Sequence, residues 1–247
     1  MSKKTRKDND GLIGYLRITA DWFVSLIVGT KITPNQLTVL NFILFTPFIC
    51  ILIMWGTHYS SVIAVLLIAV TVIIDLADGA LARKKSLYSS YGAWLDLSLD
   101  NIFQLALLSS MVISVNIHHQ TMLTIIFGVA VLFGQAMAHV LGGMFRYELG
   151  FDPYSGISEF LDVPTKSFFE NFLKNIVVPS TFIYIIIFTA RYTLVASLLV
   201  NKLDWFLFSF GLFINIRWIF MWLLFYFYMS DSSVAPGLVR FLKNQNK

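Results

Sequence analysis

Residues 75–100 read DLADGALARKKSLYSSYGAWLDLSLD, and this stretch decides how the rest of the sequence is interpreted. It contains four aspartates, two glycines and an arginine, yet it joins two segments that are otherwise long and apolar. A charged residue inside a membrane-spanning segment is costly, and it marks a functional site by default. The stretch therefore predicts a functional site that is carried by two neighbouring membrane helices.

The composition indicates that the chain is an integral membrane protein. Of the 247 residues, 57% are hydrophobic and 13% are charged, and the mean hydropathy is +0.74. A soluble protein has about 25% charged residues. We therefore expect the lipid bilayer as a partner and no nucleic acid. The single cysteine, Cys50, excludes an intrachain disulfide and is expected to be a buried packing thiol.

Hydropathy predicts an all-α integral membrane fold, a bundle of six transmembrane helices. A spanning helix needs about 20 apolar residues, and six segments meet this length, at approximately 37–56, 60–82, 94–117, 122–145, 176–200 and 205–229. Residues 12–28 are amphipathic but polar, so we expect an N-terminal interfacial helix there. The chain is divided into a tail and interfacial helix (1–30), a six-helix domain (31–230) and a C-terminal tail (231–247).

The first span has a recognisable start. Thr33 is placed to cap the helix, Pro34 occupies its first position, and Gln36 stands where the second half of a capping box is expected. Lysine and arginine then predict the orientation. With a cytoplasmic N-terminus, fifteen of the 18 basic residues lie in cytoplasmic tails and loops, against only Lys202 in the opposite loops. We expect both termini and the aspartate-rich hairpin on the cytoplasmic side.

The four aspartates are spaced so that they can meet. At 3.6 residues per turn, Asp75 and Asp78 share one face of the second predicted span with two small residues. Asp96 and Asp100 lie one turn apart on one face of the third span. A connector at residues 84–91 would let the two helices pack antiparallel. The carboxylates would then lie at matching depths just below the cytoplasmic surface.

Such a cluster predicts a metal site for phosphoryl transfer. Four close carboxylates cannot all stay ionised without cations. Oxygen ligands favour Mg²⁺ or Mn²⁺, and two such ions about 3.5–4 Å apart are a common arrangement for displacement at phosphorus. Gly79 and Ala82 leave room for a bulky group on the same face, and Arg83 offers a planar donor fork to phosphate oxygens.

The hairpin also resembles a known family. The pattern Asp75-x-x-Asp78-Gly79-x-x-Ala82-Arg83, eight residues, Gly92-x-x-x-Asp96-x-x-x-Asp100 is similar at every fixed position to the signature of the CDP-alcohol phosphotransferase (CDP-alcohol phosphatidyltransferase) family. The resemblance implies a homodimeric membrane enzyme with two Mg²⁺ or Mn²⁺ ions per active site. It also implies the reaction: an alcohol attacks the β-phosphorus of a CDP-linked donor, and CMP leaves.

The resemblance further implies roles for individual residues. Asp75 and Asp96 would each contact both ions, Asp78 would complete one metal site, and Asp100 would complete the other. Asp100 would also be the general base that takes the proton of the attacking alcohol. The CDP group would be held by six residues, of which the last three are the weaker candidates: Gly79, Ala82, Arg83, Ser89, Asn35 and Thr38.

The substrates are less closely defined. The compact six-helix length resembles the branch of the family that uses CDP-diacylglycerol as donor and a small alcohol as acceptor, more than the branch that uses a CDP-aminoalcohol with diacylglycerol. Acidic residues between 146 and 175 hint at a neutral or amine-bearing acceptor. Two alternatives from other classes are a cation-conducting membrane protein and an inactive scaffold. Ion conduction does not require the glycine, alanine and arginine in fixed register, and the intact acids disfavour the scaffold.

Three features outside the hairpin are also interpreted. Arg217, near the middle of the sixth span, is either an acceptor- or phosphate-binding group or half of a structural pair. His139 is expected to be a hydrogen-bonded packing residue. A stripe of small residues in the fourth span predicts close helix contact, within one bundle or between subunits; it consists of Ala130, Gly134, Ala138 and Gly142.

Overall fold

The computed structural model describes residues 12–149 and 192–230, and all regular secondary structure in these ranges is helical. The helices are α1 (Leu12–Ile27), α2 (Pro34–Trp55), α3 (His58–Lys85), α4 (Ser90–His119), α5 (Met122–Leu149), α6 (Tyr192–Val200) and α7 (Leu203–Ser230). The chain forms two compact units that divide after Ser114, within α4. The predicted all-α class is confirmed for the described ranges.

Four of the helices in these ranges, α2 to α5, are long and apolar enough to cross a membrane. Their ends agree with the first four predicted spans to within four residues, and α7 coincides with the sixth. Large apolar side chains such as Phe48, Leu66 and Ile126 are exposed on these helices, as lipid-facing residues would be. Most of the fifth predicted span, both tails and the acidic segment between 150 and 175 lie outside the described residues.

The start of α2 confirms the predicted capping box. Thr33 is extended, its side chain accepts the N–H of Gln36 at 3.3 Å, and the Gln36 side chain accepts the N–H of Thr33 at 3.0 Å. Gly56 ends α2 in the left-handed conformation (φ 69°), which glycine adopts without steric cost. A second capping box, at Thr57 and Ser60, starts α3 immediately afterwards.

The connector between α3 and α4 is shorter than predicted. The helices continue through Lys85 and resume at Ser90, so the connector is residues 86–89 rather than 84–91. Ser86 adopts a left-handed conformation (φ 56°) that ends α3, and Ser89 accepts the N–H of Gly92 at 2.9 Å and so caps α4. The predicted connector was too long because these caps satisfy the backbone hydrogen-bonding groups at the helix ends without a longer loop.

Within the first unit, α1 packs against the back of α3. Ala20 and Val24 of α1 are buried in one cluster with three α3 residues, Ala77, Ala80 and Leu81. The small alanines allow the two helices to approach closely. The opposite side of α1 exposes a stripe of large apolar residues, as expected for a helix at a membrane interface; the stripe is Tyr15, Ile18, Trp22 and Leu26.

Within the second unit, α5 and α7 pack side by side. A Cβ added at Gly134 would lie 2.8 Å from Ile214 Cγ2 and 3.0 Å from Asn215 Nδ2, so only glycine fits there without a shift. Asn215 Nδ2 donates to the carbonyl of Ala130 at 2.9 Å across the same contact. At these positions, the predicted small-residue stripe makes a contact within one chain.

Two single-residue expectations can be checked in the described ranges. Gln135 is buried, and its Nε2 lies 2.6 Å from His139 Nε2 one turn further along α5. His139 is therefore hydrogen-bonded, as predicted. Cys50 is a free cysteine but is only partly buried, so the prediction of a buried packing thiol is wrong in its burial. This part of α2 also exposes the neighbouring side chains of Phe48 and Ile51.

Candidate active site

Two opposite faces of α3 make different contacts. One face carries Ala77, Ala80 and Leu81, which pack against α1. About half a turn away, Asp75, Asp78, Gly79 and Ala82 lie on the opposite face. The packing of α1 therefore leaves the carboxylate-bearing face free for other contacts.

Three of the four predicted acidic residues come together. Carboxylate oxygens of Asp75, Asp78 and Asp96 all lie within 4.8 Å of one another, so α3 and the first half of α4 meet at this point. Asp78 is the most enclosed, with 7% of its surface exposed, while Asp75 is partly buried. Three of the four aspartates that helical spacing predicted to meet are therefore close to one another in the structure.

The donor set of this cluster fits a hard divalent cation. Mg²⁺ binds oxygen at about 2.0–2.1 Å, so two oxygens on opposite sides of one ion are about 4.2 Å apart. At most one pair of three ligands can be opposite, and neighbouring oxygens of an octahedral ion are about 2.9 Å apart. The three oxygens, at no more than 4.8 Å, would therefore have to close by up to about 1.9 Å to share an ion. Carboxylate oxygens are the ligands that Mg²⁺ and Mn²⁺ prefer.

Asp100 is not part of the set within 4.8 Å. It lies one turn after Asp96 on the same helix and is partly buried, with interactions of its own. Its predicted roles, as ligand of a second ion and as general base, stay predictions.

Thr38 of α2 contacts the cluster directly. Its hydroxyl donates to Asp78 Oδ2 at 2.6 Å, across 40 positions of sequence. One turn further along α2, Asn41 Nδ2 donates to the carbonyl of Thr71 on α3 at 3.1 Å. Thr38 was predicted as a weak contact of the CDP group, and in the structure its hydroxyl is bonded to a metal-ligand candidate. Sequence spacing carries no signal for this tertiary contact.

Asn35 and Ser89 lie beside the second glycine of the motif. A Cβ added at Gly92 would be 2.9 Å from Asn35 Oδ1 and 3.1 Å from Ser89 Oγ. Gly92 is thus needed where the start of α2 approaches the start of α4. Ser89, another predicted contact of the CDP group, already caps α4 through its side chain.

A groove opens next to this approach, between the first turns of α2 and α4. Its volume is about 610 Å³. The amides of Asn35 and Gln36 supply the polar part of its wall. The remaining wall is apolar or aromatic and is formed by Ile32, Val39, Leu40, Tyr91 and Leu95.

Of the remaining predicted site residues, three lie on α3 near the aspartate cluster and one lies on α7. Among the described residues, a Cβ added at Gly79 would meet only the guanidinium of Arg83, with Nη1 at 3.6 Å, and Arg83 itself is exposed. Ala82 is partly buried on the carboxylate face of α3. Arg217 lies on α7 in the second unit, partly buried and with interactions of its own, and its two alternative roles stay predictions.

These features define an α-helical membrane protein with an acidic site on two consecutive helices. The family model described as CDP-alcohol phosphatidyltransferase matches residues 31–155, half of the chain, and this range includes every predicted site residue except Arg217. The chain belongs to the CDP-alcohol phosphatidyltransferase family.

Two curated relatives are similar over shorter ranges. The "Bifunctional IPC transferase and DIPP synthase" of Aquifex aeolicus is 33% identical over 90 residues, which cover 36% of this chain and 19% of the relative. The "Archaetidylinositol phosphate synthase" of Pyrococcus horikoshii is 29% identical over 118 residues, covering 47% of this chain and 60% of the relative. The matched region thus spans less than two thirds of either relative.

Proposed function

We propose that this protein transfers a phosphatidyl group from CDP-diacylglycerol to a small alcohol at the cytoplasmic face of a membrane and releases CMP. The observation that carries the proposal is the cluster of Asp75, Asp78 and Asp96, whose oxygens lie within 4.8 Å of one another on two helices of membrane-spanning length. An all-carboxylate site of this kind suits divalent metal chemistry on phosphates. Membership of the family supports the same reaction type.

The proposed roles follow from the positions of the acids. Asp75, Asp78 and Asp96 would hold Mg²⁺ or Mn²⁺, and Asp100 would join them at a second ion. When bound, the two ions neutralise charge on the phosphate oxygens. Asp100 accepts the proton of the attacking alcohol, a bond forms between the alcohol oxygen and the β-phosphorus, and the bond from that phosphorus to CMP breaks.

The CDP group is proposed to lie on the carboxylate face of α3. Gly79 and Ala82 leave space there, and the exposed guanidinium of Arg83 reaches over this face. A planar guanidinium pairs well with phosphate oxygens. Asn35, whose Oδ1 faces Gly92, is close enough to the motif to contribute as well.

A lipid-linked donor is favoured over a lipid-linked acceptor. The groove between α2 and α4 is mostly apolar, and it shares Asn35 with the contact to Gly92. An apolar part of the donor, such as an acyl chain, could therefore bind in this groove beside the motif. A CDP-aminoalcohol donor, with diacylglycerol as acceptor, is the alternative.

The acceptor is proposed as a small alcohol without a narrower identity. The acidic residues between 146 and 175 favour a neutral or amine-bearing one. Because the Pyrococcus relative is an archaetidylinositol phosphate synthase, a phosphorylated inositol also belongs among the acceptors to be tested. We also propose a homodimer, as the family resemblance implies.

The test is CMP release by the purified protein in detergent with Mg²⁺ or Mn²⁺. Donors are CDP-diacylglycerol and a CDP-aminoalcohol, and acceptors include serine, glycerol phosphate, inositol, inositol phosphate and diacylglycerol. Asp78→Asn and Asp100→Asn should each lower turnover by at least about 100-fold, because ligand or base is lost. Asp21→Asn, the same change at an exposed acid of α1, is the matched control.

Each outcome of this experiment bears on one part of the proposal. CMP release with CDP-diacylglycerol alone among the donors supports the phosphatidyl transfer. Release that needs no divalent metal contradicts the metal site. Undiminished release by Asp100→Asn contradicts the assignment of the base.

A further inference from the structure

We propose that Thr38 is a positioning residue that fixes Asp78 as a single-oxygen ligand of the metal site. This inference rests on the proposed function, because it assumes that the aspartate cluster binds a divalent cation. It assigns Thr38 a task other than the nucleotide contact predicted from the sequence.

The hydrogen bond from Thr38 to Asp78 is short and enclosed. The hydroxyl lies 2.6 Å from Asp78 Oδ2, in the range of charge-assisted O–H···O⁻ bonds. The same hydroxyl lies 3.1 Å from the carbonyl of Pro34, the usual partner of a helical threonine. A hydroxyl has only one proton to donate, and the closer and charged acceptor has the stronger claim to it.

Commitment of one oxygen limits what Asp78 can do as a ligand. A carboxylate with both oxygens available can bind a metal ion through one or both of them. With Oδ2 accepting the hydrogen bond of Thr38, we expect Asp78 to offer mainly its other oxygen to the ion, and the hydrogen bond orients the carboxylate plane relative to α2. Asp78 is 7% exposed, so little solvent can reach it to substitute for the lost hydroxyl.

This arrangement matches the way proteins hold metal ligands. Ligating carboxylates are themselves hydrogen-bonded, and removing such a partner lowers metal affinity by about 10- to 100-fold. Thr38 comes from α2, whereas all three clustered aspartates come from α3 and α4. The first predicted span therefore contributes to the metal site without supplying a ligand.

The experiment measures Mn²⁺ binding to the full-length protein in detergent, by the loss of the free Mn²⁺ signal in electron paramagnetic resonance. Thr38→Val keeps the shape of the side chain but removes the hydroxyl, and it should raise the Kd for Mn²⁺ by about 10- to 100-fold. Thr38→Ser keeps the hydroxyl and should restore binding to within about threefold of the wild type. Thr38→Ala replaces Thr38→Val if the valine variant does not fold.

Asn41→Leu is the matched control. Asn41 bonds α2 to α3 one turn away from Thr38, but to a backbone carbonyl and not to a carboxylate. A purely structural role of the α2–α3 contact would make Asn41→Leu and Thr38→Val alike in Mn²⁺ affinity. We expect thermal stability to fall in both variants and Mn²⁺ affinity to fall only in Thr38→Val.

Two further outcomes separate this inference from the proposed function. If Asp75→Asn abolishes Mn²⁺ binding but Thr38→Val binds as tightly as the wild type, the positioning role is wrong and the metal site stands. If Asp75→Asn binds Mn²⁺ as tightly as the wild type, the metal site is wrong, and the role of Thr38 is overturned with it.

Discussion

Gly79 follows Asp78 directly on the carboxylate face of α3, and its surroundings are open. In the part of the chain that the structure describes, an added Cβ would meet only Arg83 Nη1, at 3.6 Å, an ordinary van der Waals distance. Gly92, in contrast, would meet Asn35 Oδ1 at 2.9 Å. The two glycines of one motif therefore serve different purposes. Gly92 permits the approach of α2 to α4, whereas Gly79 preserves space that no other described residue fills.

Gly79→Ala should separate stability from activity. Alanine is the better helix former by about 0.5–1 kcal/mol, and within the described residues the new methyl group makes no steric clash, so thermal stability should stay equal or rise. The methyl group would occupy the space proposed for the CDP group, and turnover should fall by at least about 10-fold. CMP release and thermal unfolding in detergent measure the two effects.

The control for this variant is Gly143→Ala on α5. An added Cβ at Gly143 would meet no described residue within 4 Å, so we expect the same gain in helix propensity. This variant should match Gly79→Ala in stability and the wild type in CMP release. Full activity of Gly79→Ala would show that the nucleotide does not use this space.

For individual residues, the sequence predicts those contacts that follow from spacing along one helix. Asp75 and Asp78 are three residues apart on one helix, so their shared face follows from helix geometry alone. Proximity of Asp96 follows once a short connector joins two antiparallel helices. The bond between Thr38 and Asp78 crosses 40 positions and depends on how α2 is rotated against α3, which no local pattern specifies.

At the scale of helices and turns, Lys85 anchors the turn that precedes α2. Its Nζ donates to the carbonyls of Thr30 at 2.7 Å and Ile32 at 2.8 Å. This turn leads directly into the Thr33 cap and into Asn35 beside Gly92. The last turn of α3 therefore holds the start of α2 in place at the edge of the candidate site.

Lys85→Met should loosen this edge. The variant keeps the apolar stem but loses two charge-assisted hydrogen bonds, so we expect a loss of about 1–3 kcal/mol in the free energy of unfolding. CMP release should fall as well, because Asn35 and Thr38 lie downstream of the released turn. Thermal unfolding and CMP release in detergent are the measurements.

Lys84→Met provides the comparison one residue earlier. Lys84 Nζ reaches one carbonyl, that of Asp21, at 3.5 Å, the outer limit of a hydrogen bond. Its removal should change stability by no more than about 0.5 kcal/mol. Equal effects of the two substitutions would mean that loss of basic charge, and not the anchor, is responsible.

The sequence predicts helix ends better than helix partners. The capping box at Thr33 is a local signal and was predicted correctly. The caps at Ser86 and Ser89 were not predicted, so the connector inferred from polarity alone was longer than the one observed. The amphipathic pattern of α1 indicates an apolar face but not its partner. Only the structure assigns that face to Ala77, Ala80 and Leu81.

At the scale of the whole molecule, the direction of the helices bears on the topology. Contacts advance along α5 and α7 in the same order. Phe127 contacts Phe208, and further along both helices Gly134 lies against Ile214 and Phe133 contacts Trp218. The two helices therefore run in the same direction. If both cross the membrane, this direction is consistent with the predicted span at 176–200, which stays a prediction.

The orientation of the candidate site can be tested with two matched tyrosines. Tyr88 lies in the α3–α4 connector and Tyr59 near the start of α3, at opposite ends of one membrane-spanning helix, and both are well exposed. In a Cys50→Ala background, we expect Tyr59→Cys to react with an impermeant maleimide on intact cells and Tyr88→Cys to react only in inside-out vesicles.

The reason for this expectation is the charge next to each position. Arg83, Lys84 and Lys85 end α3 beside Tyr88, whereas the end near Tyr59 has no lysine or arginine between residues 32 and 82. Basic residues close to a span are retained in the cytoplasm. The aspartate cluster lies on the Tyr88 side of α3, since Asp75 and Asp78 are in its last three turns. Labelling of Tyr88→Cys on intact cells would therefore place the candidate active site on the outer face and contradict a cytoplasmic source of its CDP-linked donor.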